Sequence, residues 1–276
     1  MTISLQDKIN ITGSTDQGLV REHNEDSIGH DAELGLLVLA DGMGGHKGGE
    51  VASAIAVDSI LQNLRDALPG INTGNTDKDT GYSLESMAIE SAIKQANLKI
   101  YEAAQNNSKY EGMGTTVVVV LFYDNRLTIA HVGDSRLYRM RERNLEQMTR
   151  DHTLLQELVD RGFYTRKEAD ESLNKNLVTR AVGVNPEVDI DLLEEVALVE
   201  DTYLLCSDGL TDMIDDDLIK DIQLNYHNNL EKMNRELIKQ AKDHGGKDNV
   251  SVMLAQISKE FHAKSGWLSR IINIFS

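Results

Sequence analysis

Leu36-Leu37-Val38-Leu39-Ala40-Asp41-Gly42-Met43-Gly44-Gly45-His46-Lys47-Gly48-Gly49-Glu50 is the stretch from which the rest of the chain can be read. A short apolar run ends abruptly in an acid, a glycine-rich turn follows, and a helical pattern begins. An apolar run this short, bounded by glycine, predicts a buried strand. The strand carries Asp41 to the edge of a sheet. Gly42, Gly44 and Gly45 let the backbone turn tightly and approach a ligand. Taken alone, Asp41 reads first as an acid at a strand-to-helix turn.

The pattern recurs, and recurrence changes the reading. Leu127-Thr128-Ile129-Ala130-His131-Val132-Gly133 runs into Asp134-Ser135, and Tyr203-Leu204-Leu205-Cys206-Ser207 runs into Asp208-Gly209. Gly245-Gly246-Lys247-Asp248-Asn249 opens the apolar run from Val250 to Ile257. If these strands share a sheet, Asp41, Asp134, Asp208 and Asp248 meet at one end of it. Like charges held close raise one another's pKa, and a cation relieves the repulsion. Oxygen donors without a Cys or His cluster suit magnesium or manganese rather than zinc.

Composition sets the frame. The chain has 276 residues, 40% of them hydrophobic, enough for an ordinary globular core. Forty-five acids against 28 bases give a net charge of −17, which argues against a nucleic-acid partner. The single cysteine, Cys206, cannot form an internal disulfide and fits a reducing compartment. No leader is expected from Met1 to Asn10, and no apolar run approaches the roughly 18 residues of a membrane span. A cytoplasmic location is the expectation.

In chain order, a first strand is expected over 9–15, followed by the polar segment Thr15 to Ser27 with Arg21 among acids. Arg21 is either a surface ion-pair partner or a fork for phosphate. Helices are expected over 48–68 and 84–106, with an exposed loop over 70–83 between them. Thr115–Phe122 and Arg126–His131 predict a hairpin turned at Tyr123-Asp124-Asn125, and Arg136–Met140 a third antiparallel strand beyond it. Residues 150–180 read as a polar excursion, a flap. Strands are expected at 187–191, 202–206 and 250–257. A helix is expected to begin at Asp215-Asp216-Asp217, whose acids suit its N-terminal dipole, and another spans 229–243. Strands in hairpins and helices in blocks make an α+β plan, with helices outside a sheet pair. One domain over 1–260 is expected. The tail, 261–276, is amphipathic, with Trp267, Leu268, Ile271, Ile272 and Phe275 on one side. It is expected to pack back, to touch a partner or to lie weakly on a membrane.

Taken in order, the motifs resemble one family. They are Asp16-x-Gly18-x-x-Arg21-x-x-Asn24-Glu25-Asp26, Ala40-Asp41-Gly42-Met43-Gly44-Gly45, Gly114-Thr115-Thr116, Gly133-Asp134-Ser135-Arg136, Ser207-Asp208-Gly209-Leu210 and Asp248-Asn249. They are similar to those of the metal-dependent protein phosphatases of the 2C type, in the bacterial serine/threonine branch. The resemblance implies a four-layer αββα sandwich, two antiparallel sheets flanked by helices. It also implies two Mn2+ or Mg2+ ions and a third in bacterial members. Asp41 would bridge the pair, the Gly42 carbonyl would ligate one ion, and Asp208 and Asp248 would hold the other. Asp134 with Asp208 would serve the third. Glu25, Asp26 and Asn249 would stand behind these ligands, and Arg21 would hold the substrate phosphate.

The reaction so implied is hydrolysis of phosphoserine and phosphothreonine in proteins, opposing a Ser/Thr kinase. A hydroxide bridging two ions roughly 3.5–4 Å apart attacks phosphorus in line. Eukaryotic members carry a histidine after Asp-Gly, and here that position is Met43, which has no proton to donate. A metal-bound water is then the expected leaving-group acid, with His46 the weaker candidate. The flap is expected to influence protein substrates more than a small aryl phosphate, and a monomer is expected. The competing readings are a catalytically weak scaffold and a narrow regulatory phosphatase for one phosphoserine protein.

Overall fold

The computed structural model describes residues 4–45, 47–165, 168 and 177–262. Two antiparallel sheets form its centre. One has the order β1 (Ile9–Asp16), β11 (Val250–Ile257), β10 (Thr202–Cys206), β7 (Arg136–Arg141) and β8 (Asn144–Gln147). The other runs β2 (Asp26–Asp31), β3 (Leu36–Met43), β5 (Val117–Tyr123), β6 (Arg126–Val132) and β9 (Asp191–Val196). The short β4 (Gly114–Thr115) pairs with the end of β3.

The inner strands are apolar at almost every position because both their faces are covered. Leu36, Val38 and Ala40 of β3 point outward to α1 (Gly48–Ala67) and α2 (Leu84–Asn106). Leu37 and Leu39 point inward, in one core with Tyr203, Leu205, Met253 and Ala255 of the other sheet. The far face of that sheet, with Leu204, Cys206, Val252 and Leu254, packs on α4 (Asp208–Thr211), α5 (Asp216–Asn225) and α6 (Leu230–Asp243). Three apolar layers therefore separate four structural ones, and the αββα sandwich stands as expected. The inter-sheet core ends at Phe261, packed edge-on against Phe122 at 6.2 Å, one residue into the segment read as tail. The rest of that tail beyond His262, and His46, lie outside the described residues.

Local signals explain the helices. Ser83 caps α2, its side chain accepting from the Ser86 N–H, and Asp215 caps α5 by accepting from Leu218 N–H. Asp216 and Asp217 occupy the first turn of α5, as their helix-start reading predicts. The hairpin turns at Asp124 and Asn125, both at positive φ, as a two-residue turn between twisted strands needs.

Three expectations change. β6 and β7 are not neighbours: Gly133-Asp134-Ser135 carries the chain from one sheet to the other. Gly133, at φ +104°, permits that crossing. The strand expected at 187–191 is β9, at Asp191–Val196. It is an edge strand, and its Asp-Leu-Leu-Glu-Glu-Val sequence lacks a continuous apolar run. β2 and β8 have too few apolar residues to announce themselves. The excursion is anchored at its base, where Thr153 bridges Val178 and Leu154 N–H donates to the Leu177 carbonyl. It opens with α3 (Leu154–Asp160). Residues 166, 167 and 169–176 lie outside the described set.

Candidate active site

The predicted carboxylates do converge, but not from a single sheet. Asp41 lies in the last residues of β3 and Asp134 follows β6 in one sheet, whereas Asp208 follows β10 and Asp248 precedes β11 in the other. The site is the shared end of the sandwich. Asp26, the first residue of β2, lies directly opposite Asp41 in the strand register. Burial pushes Asp41 well above the usual carboxylate range, and the charges of Asp26, Asp208, Asp134 and Asp248 push it further. Asp208 is raised for the same reason, by burial and then by Asp134, Asp212 and Asp248. Burial pushes Asp26 up to about 6 and Asp134 to about 6. Asp41 and Asp208 keep a face open to solvent, while Asp26 and Asp134 are buried. The cluster is thus strongly repulsive and reachable from outside.

The polar residues around the acids fix them. Asp26 Oδ2 accepts from Ser251 Oγ at 2.6 Å and from Ser207 Oγ at 2.9 Å. Its Oδ1 is buried and, among the described residues, has no hydrogen-bond partner apart from a proton it could share with Asp41. The Asp41 backbone is clamped by two threonines. Its carbonyl accepts from Thr116 N–H and Thr115 Oγ1, both at 2.8 Å, and its N–H donates to Thr116 Oγ1 at 3.1 Å. Thr116 Oγ1 in turn meets Ser135 Oγ at 2.7 Å, beside Asp134. Gly42 has no room for a side chain, since a Cβ there would overlap the Gly49 carbonyl at the start of α1. Its N–H donates to the Glu25 carbonyl at 3.1 Å.

Asn249 organises the loop that carries Arg21 and Glu25. Its Oδ1 accepts from Glu25 N–H at 2.8 Å, and its Nδ2 donates to the carbonyls of Gln17 and His23. Glu25 is raised by burial and lowered by Arg21. Arg21 lies half-exposed at the rim, with Nη2 donating to Asp248 Oδ2 at 2.5 Å. The ion-pair and site readings of Arg21 therefore meet at one place. Arg21, Glu25, Asp26, Asp41, Gly42, Asp134, Asp208, Asp248 and Asn249 lie together at this end of the sandwich, while His46 is outside the described residues. The supporting hydroxyls of Thr115, Thr116, Ser135, Ser207 and Ser251, and the acid Asp212, were not assigned roles. Four of those hydroxyls sit inside the quoted motifs, and two of them, Ser135 and Ser207, adjoin an acid, which was the available signal for that pair.

The donor set suits a hard divalent cation. Carboxylate oxygens dominate it, their charges repel, and one buried oxygen has no donor among the described residues. A second group, His131, His152 and Asp191, offers one ligand atom each within 4.8 Å of one another. Its chemistry is different: His152 Nδ1 accepts from the Gly133 N–H at 3.0 Å. The neutral ring then carries its proton on Nε2, the atom that would have to bind the metal.

Comparison with known proteins agrees with this geometry. The protein phosphatase 2C family matches residues 20–254, and the chain belongs to that family. It is 40% identical over 243 residues to the serine/threonine protein phosphatase PstP of Mycobacterium tuberculosis, covering 88% of this chain and 44% of that protein. It thus spans less than half the length of that relative. It is 36% identical over 249 residues to the serine/threonine phosphatase stp of Listeria welshimeri, covering 88% of this chain and 93% of that one. The crystal structure of the PstP catalytic domain with two manganese ions superposes with a TM-score of 0.78 at 36% identity, covering 91% of this chain and 99% of that one.

Proposed function

We propose that this chain is a metal-dependent protein phosphatase acting on phosphoserine and phosphothreonine. The observation that carries the reading is the set of five aspartates, 26, 41, 134, 208 and 248, gathered at one end of the sandwich. Asp41, the Gly42 carbonyl, Asp208 and Asp248 would hold two Mn2+ or Mg2+ ions, and Asp134 with Asp208 a third. When bound, such ions supply an acidified water for attack at phosphorus and positive charge against the phosphoryl oxygens. Asp26 holds its position through Ser207 and Ser251, while Asn249 fixes the backbone of Glu25 and the Arg21 loop. The half-exposed Arg21 guanidinium stands at the mouth, where it can grip a phosphate with parallel hydrogen bonds and share the charge of the transition state. Met43, at the end of β3, has no proton for the leaving alkoxide.

The names of the relatives support a phosphoprotein substrate, and we propose that a Ser/Thr kinase supplies it. Among the described residues no helix is long and apolar enough to cross a membrane. We place the enzyme in the cytoplasm as a monomer. The test is phosphate release from a phosphothreonine peptide by chelator-treated protein, with and without Mn2+. Release that needs Mn2+ and falls at least a thousandfold in Asp208→Asn supports the reading. Equal release without metal contradicts it.

A further inference from the structure

Gly133 sits at the crossing between the sheets and immediately precedes Asp134. Its peptide is gripped twice by one residue. The His152 backbone N–H donates to the Gly133 carbonyl at 2.9 Å, and His152 Nδ1 accepts from the Gly133 N–H at 3.0 Å. A flipped ring would set a C–H against that N–H and leave a buried donor unpaired. Nε2 lies 3.3 Å from Asp191 Oδ2, close enough for charge interaction but without hydrogen-bond geometry. The other oxygen of Asp191 accepts from Arg180 Nη1 at 2.7 Å. His131, opposite Asp191 in the β6–β9 register, stacks on the His152 ring with centroids 4.6 Å apart. The His152 carbonyl also accepts from Thr179 N–H at 2.8 Å and Thr179 Oγ1 at 3.1 Å. One residue therefore touches the turn before Asp134, both ends of the excursion and the edge strand.

We infer that His152 is a positioning residue for Asp134, holding the Gly133 peptide and tying it to the base of the 150–180 excursion through Thr179 and to Asp191. The inference rests on the proposed role of Asp134 as a ligand. The ring itself binds no ion. It sets the backbone from which the Asp134 carboxylate projects, as partners behind metal ligands do.

The experiment is calorimetric Mn2+ titration with amide exchange at Gly133, in the wild type, His152→Leu, His152→Asn, Asp191→Leu and Asp134→Asn. Asp134→Asn should lose the weakest ion. His152→Leu should weaken that ion about tenfold, the lower end of the range for such partners, speed exchange at Gly133 and leave the tighter ions unchanged. His152→Asn puts Oδ1 where Nδ1 was and should restore both readouts. Should His152→Leu fail to fold, Asp191→Leu remains. Its side chain is 43% exposed, and it should weaken the same ion by a smaller factor. Wild-type Mn2+ binding in His152→Leu, or in Asp191→Leu if that is the variant left, overturns the inference while Asp134→Asn loses an ion. An Asp134→Asn protein that binds every ion normally overturns the reading of Asp134, and this inference with it. A protonated Nδ1 in the ring's 15N spectrum also overturns it.

Discussion

Asp26 and Asp41 face each other across neighbouring strands, two acids where a sheet ordinarily avoids like charges. The arrangement persists because Ser207 and Ser251 donate to one and two threonines clamp the backbone of the other. Arg21 pairs with the cluster through its guanidinium on Asp248. A charge-assisted hydrogen bond is worth about 1.5–3 kcal/mol, or roughly 10–100-fold in binding. Arg21→Ala should therefore raise KM for a phosphopeptide at least tenfold. Steady-state kinetics check this, and an unchanged KM removes Arg21 from the phosphate site.

At the scale of elements, β3 poses a problem of register. A strand with one polar face resists slipping, because a slip buries polar groups. β3 is apolar on both faces, so its pattern cannot set its own register. The polar end does so instead, through the hydrogen bonds of Asp41 to Thr115 and Thr116. Thr116→Val removes the acceptor from the buried Asp41 N–H and a partner from Ser135. It should cost about 1–3 kcal/mol, read as a lowered midpoint in urea, with weaker Mn2+ binding. A variant with wild-type stability contradicts the clamp. The same element shows what the sequence could disclose. The run into Asp41, its recurrence at Asp208 and the caps of α2 and α5 are local signals, and they were legible. The sheet to which each acid belongs was not, because Gly133-Asp134-Ser135 reads as a turn whether or not the chain changes sheets. β9 stayed hidden for a related reason: its edge position allows glutamates where inner strands need apolar side chains.

Over the whole molecule, the acid cluster should be visible in stability. Asp41, Asp208, Asp26 and Asp134 all have native pKa values above those of the unfolded chain. The native state then holds more protons than the unfolded state, so stability falls as pH rises through the native values. Burial holds His152 down at about 4 and lowers His131 as well. Below about pH 6.5 the unfolded histidines take up protons that these do not, so stability falls in the opposite direction. The histidine trend is common to metal-free and metal-bound protein, so the carboxylates are read from the difference between the two. The gain in melting temperature on Mn2+ saturation should shrink as pH falls from 7 to 5, because the aspartates take up protons that compete with the metal. A gain that does not change over this interval would contradict repulsion within the cluster. The most direct measurement of the central claim is anomalous diffraction at the manganese edge from crystals soaked in Mn2+. The account predicts two strong peaks held by Asp41, the Gly42 carbonyl, Asp208 and Asp248, with a weaker one beside Asp134. Peaks confined to His131, His152 and Asp191, or none among the aspartates, would contradict it.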